Sequence, residues 1–208
     1  MDTWAMIAAE RIETADFLGS LTPEQWNAQS LCAGWRVREV VAHLVAPFRV
    51  SLPRVFVEAI RRRGIDPALD AFAKKFGTED PVKLCAELRA NAGHRFKPPG
   101  LPPEAPLTDL VIHGLDMRVP LGLPTDRPAD VVNTALAFLT SKSATKGFVA
   151  KGRVNGLRFV ATDTGWAIGA GPEVTGPGWA IALALSGRGA GLDRLDGSGL
   201  AVLRGRLG

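Results

Sequence analysis

Leu31-Cys32-Ala33-Gly34-Trp35-Arg36-Val37-Arg38-Glu39-Val40-Val41-Ala42-His43-Leu44 runs from a tight, glycine-containing turn directly into a helical pattern. Val37, Val40, Val41, Leu44 and Phe48 follow the spacing i, i+3, i+4, i+7, i+11, so one apolar stripe is turned toward a core. On an ideal turn of ~3.6 residues His43 lies about 120° from the centre of that stripe. At such an edge an imidazole faces either an interhelical cavity or solvent. Pro47 and Pro53 each remove one backbone donor, which predicts a kink or interruption, with a break just past His43.

Working outward, helical spacing recurs on both sides of this segment. From Asp2 to about Gly19, Trp4, Ile7, Ala8, Ala15 and Leu18 share a stripe. Thr22-Pro23-Glu24-Gln25 then combines an N-cap threonine, a proline at the first helical position and a glutamine at the third, the pattern of a capping box ahead of a short helix carrying Trp26. Val82, Leu84, Cys85 and Leu88 predict a helix from about Pro81 to Asn91, while Pro98, Pro99, Gly100, Pro102, Pro103 and Pro106 make Lys97 to Pro106 a loop. Two further helices are expected, from about Ala105 to Leu121 and from Pro128 to about Lys146.

After Gly147 the period changes. Leu157, Phe159 and Ala161 alternate with polar residues, Asp163-Thr164-Gly165 supplies a turn, and Trp166 and Ile168 start a second alternating run, which together predict a hairpin. Pro177 opens a short apolar helix through Leu185. Leu200, Val202 and Leu203, following Asp196-Gly197, suggest a final strand. The expected class is α+β, with a helical domain over residues 1–147 and a small α+β domain over 148–208.

Bulk properties bound the function. The 208 residues are 46% hydrophobic and 22% charged, an ordinary globular composition. The 25 basic and 21 acidic residues leave a formal charge of +4 but are interspersed, with a single run at Arg61-Arg62-Arg63 that suits a helix C-terminus. No array of cations and stacking aromatics points to nucleic acid. No apolar run approaches the ~20 residues of a spanning helix, so no membrane partner is expected. Cys32 and Cys85 form no CxxC and no secretory pattern precedes them, which makes the reducing cytoplasm the expected location.

The residues with chemical potential lie on one predicted helix, Leu107-Thr108-Asp109-Leu110-Val111-Ile112-His113-Gly114-Leu115-Asp116. Positions 109, 113 and 116 advance by four and three and so share a face, amid leucines and valines on the others. A carboxylate in such surroundings needs a partner or a metal. A structural ion pair and two ligands of one cation both satisfy that need, and helix bundles hold metals by side chains from facing helices. Asp116 reads either as a partner fixing an imidazole's tautomer or as a surface charge. His94, ahead of the proline-rich loop, has no helical companion and is read as non-ligating.

The segment Leu31 to Leu44 resembles the C-x-G-W-x-V-x-x-V-x-x-H-L stretch of the mycothiol-dependent maleylpyruvate isomerase family, and Asp109 to Gly122, ending Pro120-Leu121-Gly122, resembles its carboxylate-x3-His segment. The two motifs fall in the family's order. The resemblance implies a DinB-like four-helix bundle at the N-terminus and, on the weaker likeness of Gly156 to Trp166 and Leu185 to Gly199, a sterol-carrier-like C-terminal domain. It also implies a divalent metal, usually zinc, held by His43, Asp109 and His113 with one position open, and mycothiol as thiol co-substrate. Where the isomerase proper has glutamate, this chain has Asp109, one methylene shorter. Arg188, after the small apolar helix, is the candidate catalytic residue, reaching a substrate or cofactor carboxylate through a bidentate contact. Cys32 is read as a buried thiol at the helix entrance, because a fourth protein ligand would close the metal.

The function expected from these features is activation of a low-molecular-weight thiol, which metal coordination deprotonates, for isomerisation of or transfer to a small electrophile. Two alternatives stand beside it. One is a small-molecule or lipid-binding module, motivated by Trp166 and Trp179, with structural histidines. The other is a regulatory relative that keeps the fold without catalysis.

Overall fold

The computed structural model describes residues 2–207, which divide into two compact units, one comprising residues 2–96 with Pro120–Gly122 and the other Lys97–Val119 with the chain from Leu123 onward. The fold is α+β: helices throughout the N-terminal part and a small three-stranded sheet in the C-terminal part.

The first unit holds α1 (Thr3–Gly19), α2 (Pro23–Asn27), α3 (Val37–Arg49), α4 (Leu52–Arg62), α5 (Ile65–Phe76) and α6 (Pro81–Ala90). α1 packs on α6, and α3 packs on both α5 and α6. The core is built from Ile7, Ala15, Leu18, Val37, Val40, Val41, Leu84 and Leu88, all at 0% exposure, so most of each stripe read from the sequence is buried, while Trp4, Ala8, Phe48 and Cys85 are half-buried and Val82 is exposed. The capping box is formed: Thr22 Oγ1 accepts from Gln25 N, and Gln25 Oε1 accepts from Thr22 N.

One buried and one part-buried arginine tie these helices together. Arg11 is 5% exposed and donates from Nη1 to the carbonyls of Asn91, Ala92 and His94 at 3.1, 2.9 and 2.6 Å, supplying a donor to the end of α6. Burial brings its guanidinium down to about 10. Arg49, in the last turn of α3, donates from Nε to both oxygens of Glu87 at 2.8 Å and from Nη1 to Glu79 at 2.7 Å.

α3 departs from expectation in one respect. It passes His43 unbroken and ends at Arg49, with Pro47 inside it. Pro47 lies in the last turn, where the lost donor costs one bond near an end that frays anyway. The break falls at Val50 and Ser51, and Pro53 sits in the first turn of α4, where an N–H needs no partner. α5, which the sequence reading did not anticipate, buries Ala68, Phe72 and Ala73.

The second unit holds α7 (Glu104–Arg118), α8 (Ala129–Leu139), β1 (Arg158–Ala161), β2 (Ala167–Gly169), β3 (Glu173–Gly176), α9 (Gly178–Leu185) and α10 (Leu200–Gly205). α7 packs on α8, and both pack on α9, which lies against β1 and β3. The change in period after Gly147 thus marks where strands begin, while by packing α7 and α8 go with the sheet. The expected hairpin is β1 against β2, pairing Phe159 with Ile168.

Three details of this unit differ from the sequence reading. β3 was not anticipated: it runs parallel to β1, giving the order β2-β1-β3. The expected final strand at Leu200 to Leu203 is the helix α10. There Leu203 is fully buried while Val202 is 42% exposed, so the i, i+3 pair Leu200/Leu203 outweighs the alternation Leu200/Val202. The helix expected to reach Lys146 ends at Leu139 and is followed by a single 3-10 turn, Lys142–Thr145.

Candidate active site

α7 is buried on almost every side, so polar residues on it meet protein rather than water. Its i, i+4 and i, i+3 spacings bring Asp109, His113 and Asp116 together. His113 Nδ1 lies 3.0 Å from Asp116 Oδ2, and His113 Nε2 lies 3.5 Å from Asp109 Oδ1. Asp116 is completely buried, His113 is 9% exposed, and the Asp109 side chain keeps about a third of its surface open, at 35%.

Asp116 is matched by Arg188, which comes from a part of the chain 72 residues away. Its Nε donates to Oδ1 at 2.9 Å and its Nη2 to Oδ2 at 2.7 Å, a two-pronged contact, while Nη1 donates to the Ser186 carbonyl at 2.9 Å. The end of α9 explains how Arg188 gets there. Gly187 takes φ 93°, its N–H bonds Ala184 O, and the Arg188 N–H bonds Leu183 O, the paired closure of a Schellman motif. This closure fixes the backbone from which the guanidinium reaches α7.

These contacts set the protonation of the site. Burial pushes the Asp116 carboxyl up, but the hydrogen bonds from His113 and Arg188 and their charges outweigh it and hold the group well below the usual carboxylate range. An ionised carboxylate only accepts, so His113 Nδ1 carries a proton, and Nε2 is the nitrogen directed to Asp109. At 3.5 Å the Nε2–Oδ1 separation is long for a direct hydrogen bond. It matches the roughly 3.4 Å between two donors that each bind a tetrahedral ion at ~2.0–2.2 Å.

The other residues singled out in the sequence have the following surroundings. His43 is on α3 in the first unit, half-buried, its ring 5.3 Å from that of Trp35, whose Nε1 donates to Asp70 Oδ1 at 2.9 Å. His94 packs edge-on against Phe48 with centroids 5.2 Å apart. Cys32 is half-buried rather than buried, because it forms the turn that Trp35 N closes onto its carbonyl; neither it nor Cys85 is disulfide-bonded. Trp179 packs over Gly191, where a Cβ would meet its ring at 2.8 Å. The Arg188 fork, expected to reach a substrate or cofactor carboxylate, holds the protein carboxylate of Asp116. The pairing of positions 116 and 188 has no local signature, although the Ser186-Gly187 helix stop was a signal that the following side chain is held in place.

Comparison with known proteins follows the same lines. Residues 7–110, half of the 208, match the family model described as the mycothiol maleylpyruvate isomerase N-terminal domain. Two solved structures are similar in fold, the mycothiol-dependent maleylpyruvate isomerase (TM-score 0.60) and a histidine-to-alanine mutant of it (TM-score 0.61). Each is 16% identical to this chain, over 95% of this chain and 92% of the other. No curated protein sequence matches. On the match across residues 7–110, the chain belongs to the mycothiol maleylpyruvate isomerase family.

Proposed function

We propose that the protein is a metal-dependent enzyme that activates a low-molecular-weight thiol, mycothiol in this reading, for isomerisation of or transfer to a small electrophilic substrate. The observation that carries it is the Asp109/His113 pair, held at a ligand-to-ligand separation, with the second nitrogen of His113 occupied by an ionised, buried Asp116. An imidazole and a carboxylate suit a divalent ion of borderline softness such as zinc. The family membership supports the thiol and the isomerase chemistry.

In this reading His113, Asp109 and His43 would hold the ion. When bound, a zinc ion lowers the pKa of a coordinated thiol so that it is a thiolate at neutral pH. The chain's own residues prepare that position. Asp116 keeps the proton on Nδ1 and the ring in one orientation, which is how a carboxylate behind a ligating histidine raises its basicity. Arg188 neutralises Asp116 and anchors it, acting as a positioning residue. Leu110 and Val111, on the other faces of α7, are both buried. A reducing cytoplasm is the compartment that suits this function, because it keeps such a thiol reduced.

Metal analysis of the purified protein, paired with the His113→Ala variant and an assay for thiol-dependent turnover, tests the proposal. Metal-free wild type, or a variant with undiminished metal, would sink it.

A second reading, a small-molecule-binding module, has its own observation. A groove of about 530 Å³ in the second unit is bounded by Pro102, Asn133, Phe138, Ser141 and Trp166. Binding of an apolar ligand that is lost in Trp166→Ala, in a protein without thiol-dependent turnover, would favour it.

A further inference from the structure

α4 differs from every other helix of the first unit in burying no residue. Phe56 is 68% exposed, Ile60 65%, Val57 62% and Leu52 46%, and Ile65 at the start of α5 adds 51%. At 100° per residue Leu52, Phe56, Ile60 and Val57 fall in one sector of about 140°. Val55, Glu58 and Ala59 form the opposite, half-buried side, and α4 packs chiefly on α5. The exposed sector is therefore a coherent apolar face and not scattered surface leucines, and such faces mark interaction sites.

Charge indicates what covers it. Arg54 and Arg61 border the sector at the Val57 edge, and Arg62 and Arg63 close its C-terminal end. The one acid of the helix, Glu58, pairs with Arg61 and Arg62. Two copies packed through this face would align two arginine sets along one seam with no acid to spare. A flat anionic surface instead matches both features, taking the apolar side chains into its interior and the guanidinium groups at its charged boundary. An 11-residue helix, about 16 Å long, lies in the plane of such a surface.

We infer that α4 is a peripheral docking element for anionic lipid membranes. The absence of a spanning run does not bear on this, since no helix of the described residues is long and apolar enough to cross a membrane and α4 needs only to lie on one. The inference is independent of the proposed thiol chemistry, and thiol-dependent turnover in solution does not enter its test.

The full chain is sedimented with phosphatidylcholine vesicles and with vesicles in which about a third of the lipid is phosphatidylglycerol. The expected result is partition about tenfold or more stronger onto the anionic vesicles, weakened by added salt. It is lost in the Phe56→Ser/Ile60→Ser variant and reduced in Arg54→Gln/Arg61→Gln, with unchanged circular dichroism in both. No binding to either vesicle overturns the inference, as does binding that neither variant diminishes. A concentration-dependent doubling of mass without lipid, abolished by Phe56→Ser/Ile60→Ser, assigns the face to a second copy and overturns it equally.

Discussion

Arg188 holds both oxygens of Asp116, at 2.9 and 2.7 Å, and the same Asp116 receives His113 Nδ1 at 3.0 Å. An arginine at the end of α9 thereby anchors the carboxylate that orients a histidine on α7.

The first prediction concerns that link. Asp116→Ala leaves the Arg188 guanidinium, 23% exposed, without its counter-charge and removes the acceptor of Nδ1. Breaking a buried pair from one side costs about 3–5 kcal/mol. Urea denaturation measures this loss. In Asp116→Asn the shape is retained and the fixed tautomer is not, so metal affinity falls about 10- to 100-fold by competition with a chelating dye.

The Arg188→Lys variant separates charge from geometry. Lysine preserves the cation but cannot match the two-pronged contact. Stability is expected to fall by about 1–3 kcal/mol, the range of one charge-assisted hydrogen bond, with metal content retained. A variant with wild-type stability would contradict the two-pronged anchoring of Asp116.

His113→Ala and Asp109→Ala are expected to lose bound metal and thiol-dependent turnover together. Asp109→Glu, which keeps the carboxylate on an arm one methylene longer, is expected to retain metal. If the proposed function holds, stripping the wild type with a chelator is expected to abolish turnover and zinc to restore it, as read by elemental analysis beside the activity assay.

Cys85 gives a pH-dependent outcome. Burial pushes its thiol up, Arg89 opposes this and Asp16 adds to it, and Sγ donates to Ala15 O at 3.0 Å. The thiolate is the reactive form, so alkylation of Cys85 lags that of a small free thiol at neutral pH. Its rate continues to climb with pH after the small thiol has levelled off, as peptide mapping with iodoacetamide will show.

Gly178 reports on the packing of α8 against α9. A Cβ there would lie 2.6 Å from Val132 Cγ1, and its N–H donates to Asp163 Oδ1 at 2.9 Å. Gly178→Ala is expected to destabilise the protein by about 1–3 kcal/mol through overpacking, measurable as a lower urea midpoint.

Much of this protein follows from local pattern. The stripe from Val37 to Leu44, the capping box at Thr22 and the hairpin around Asp163-Thr164-Gly165 are short-range arrangements, set by helical and strand periods and by turn chemistry. The convergence of Asp109, His113 and Asp116 is of the same kind, because residues four and three apart on any helix are neighbours. Tertiary structure decided what no local period can. Leu200 to Leu203 fits both a strand and a helix, and burial of Leu203 selects the helix. Arg188 has many possible acceptors within reach of a long side chain, and the packing of α9 on α7, with the Gly187 turn, gives it Asp116. The face of α4 was equally hidden, since hydrophobic spacing announces a buried stripe and only the folded chain shows that nothing among the described residues covers it.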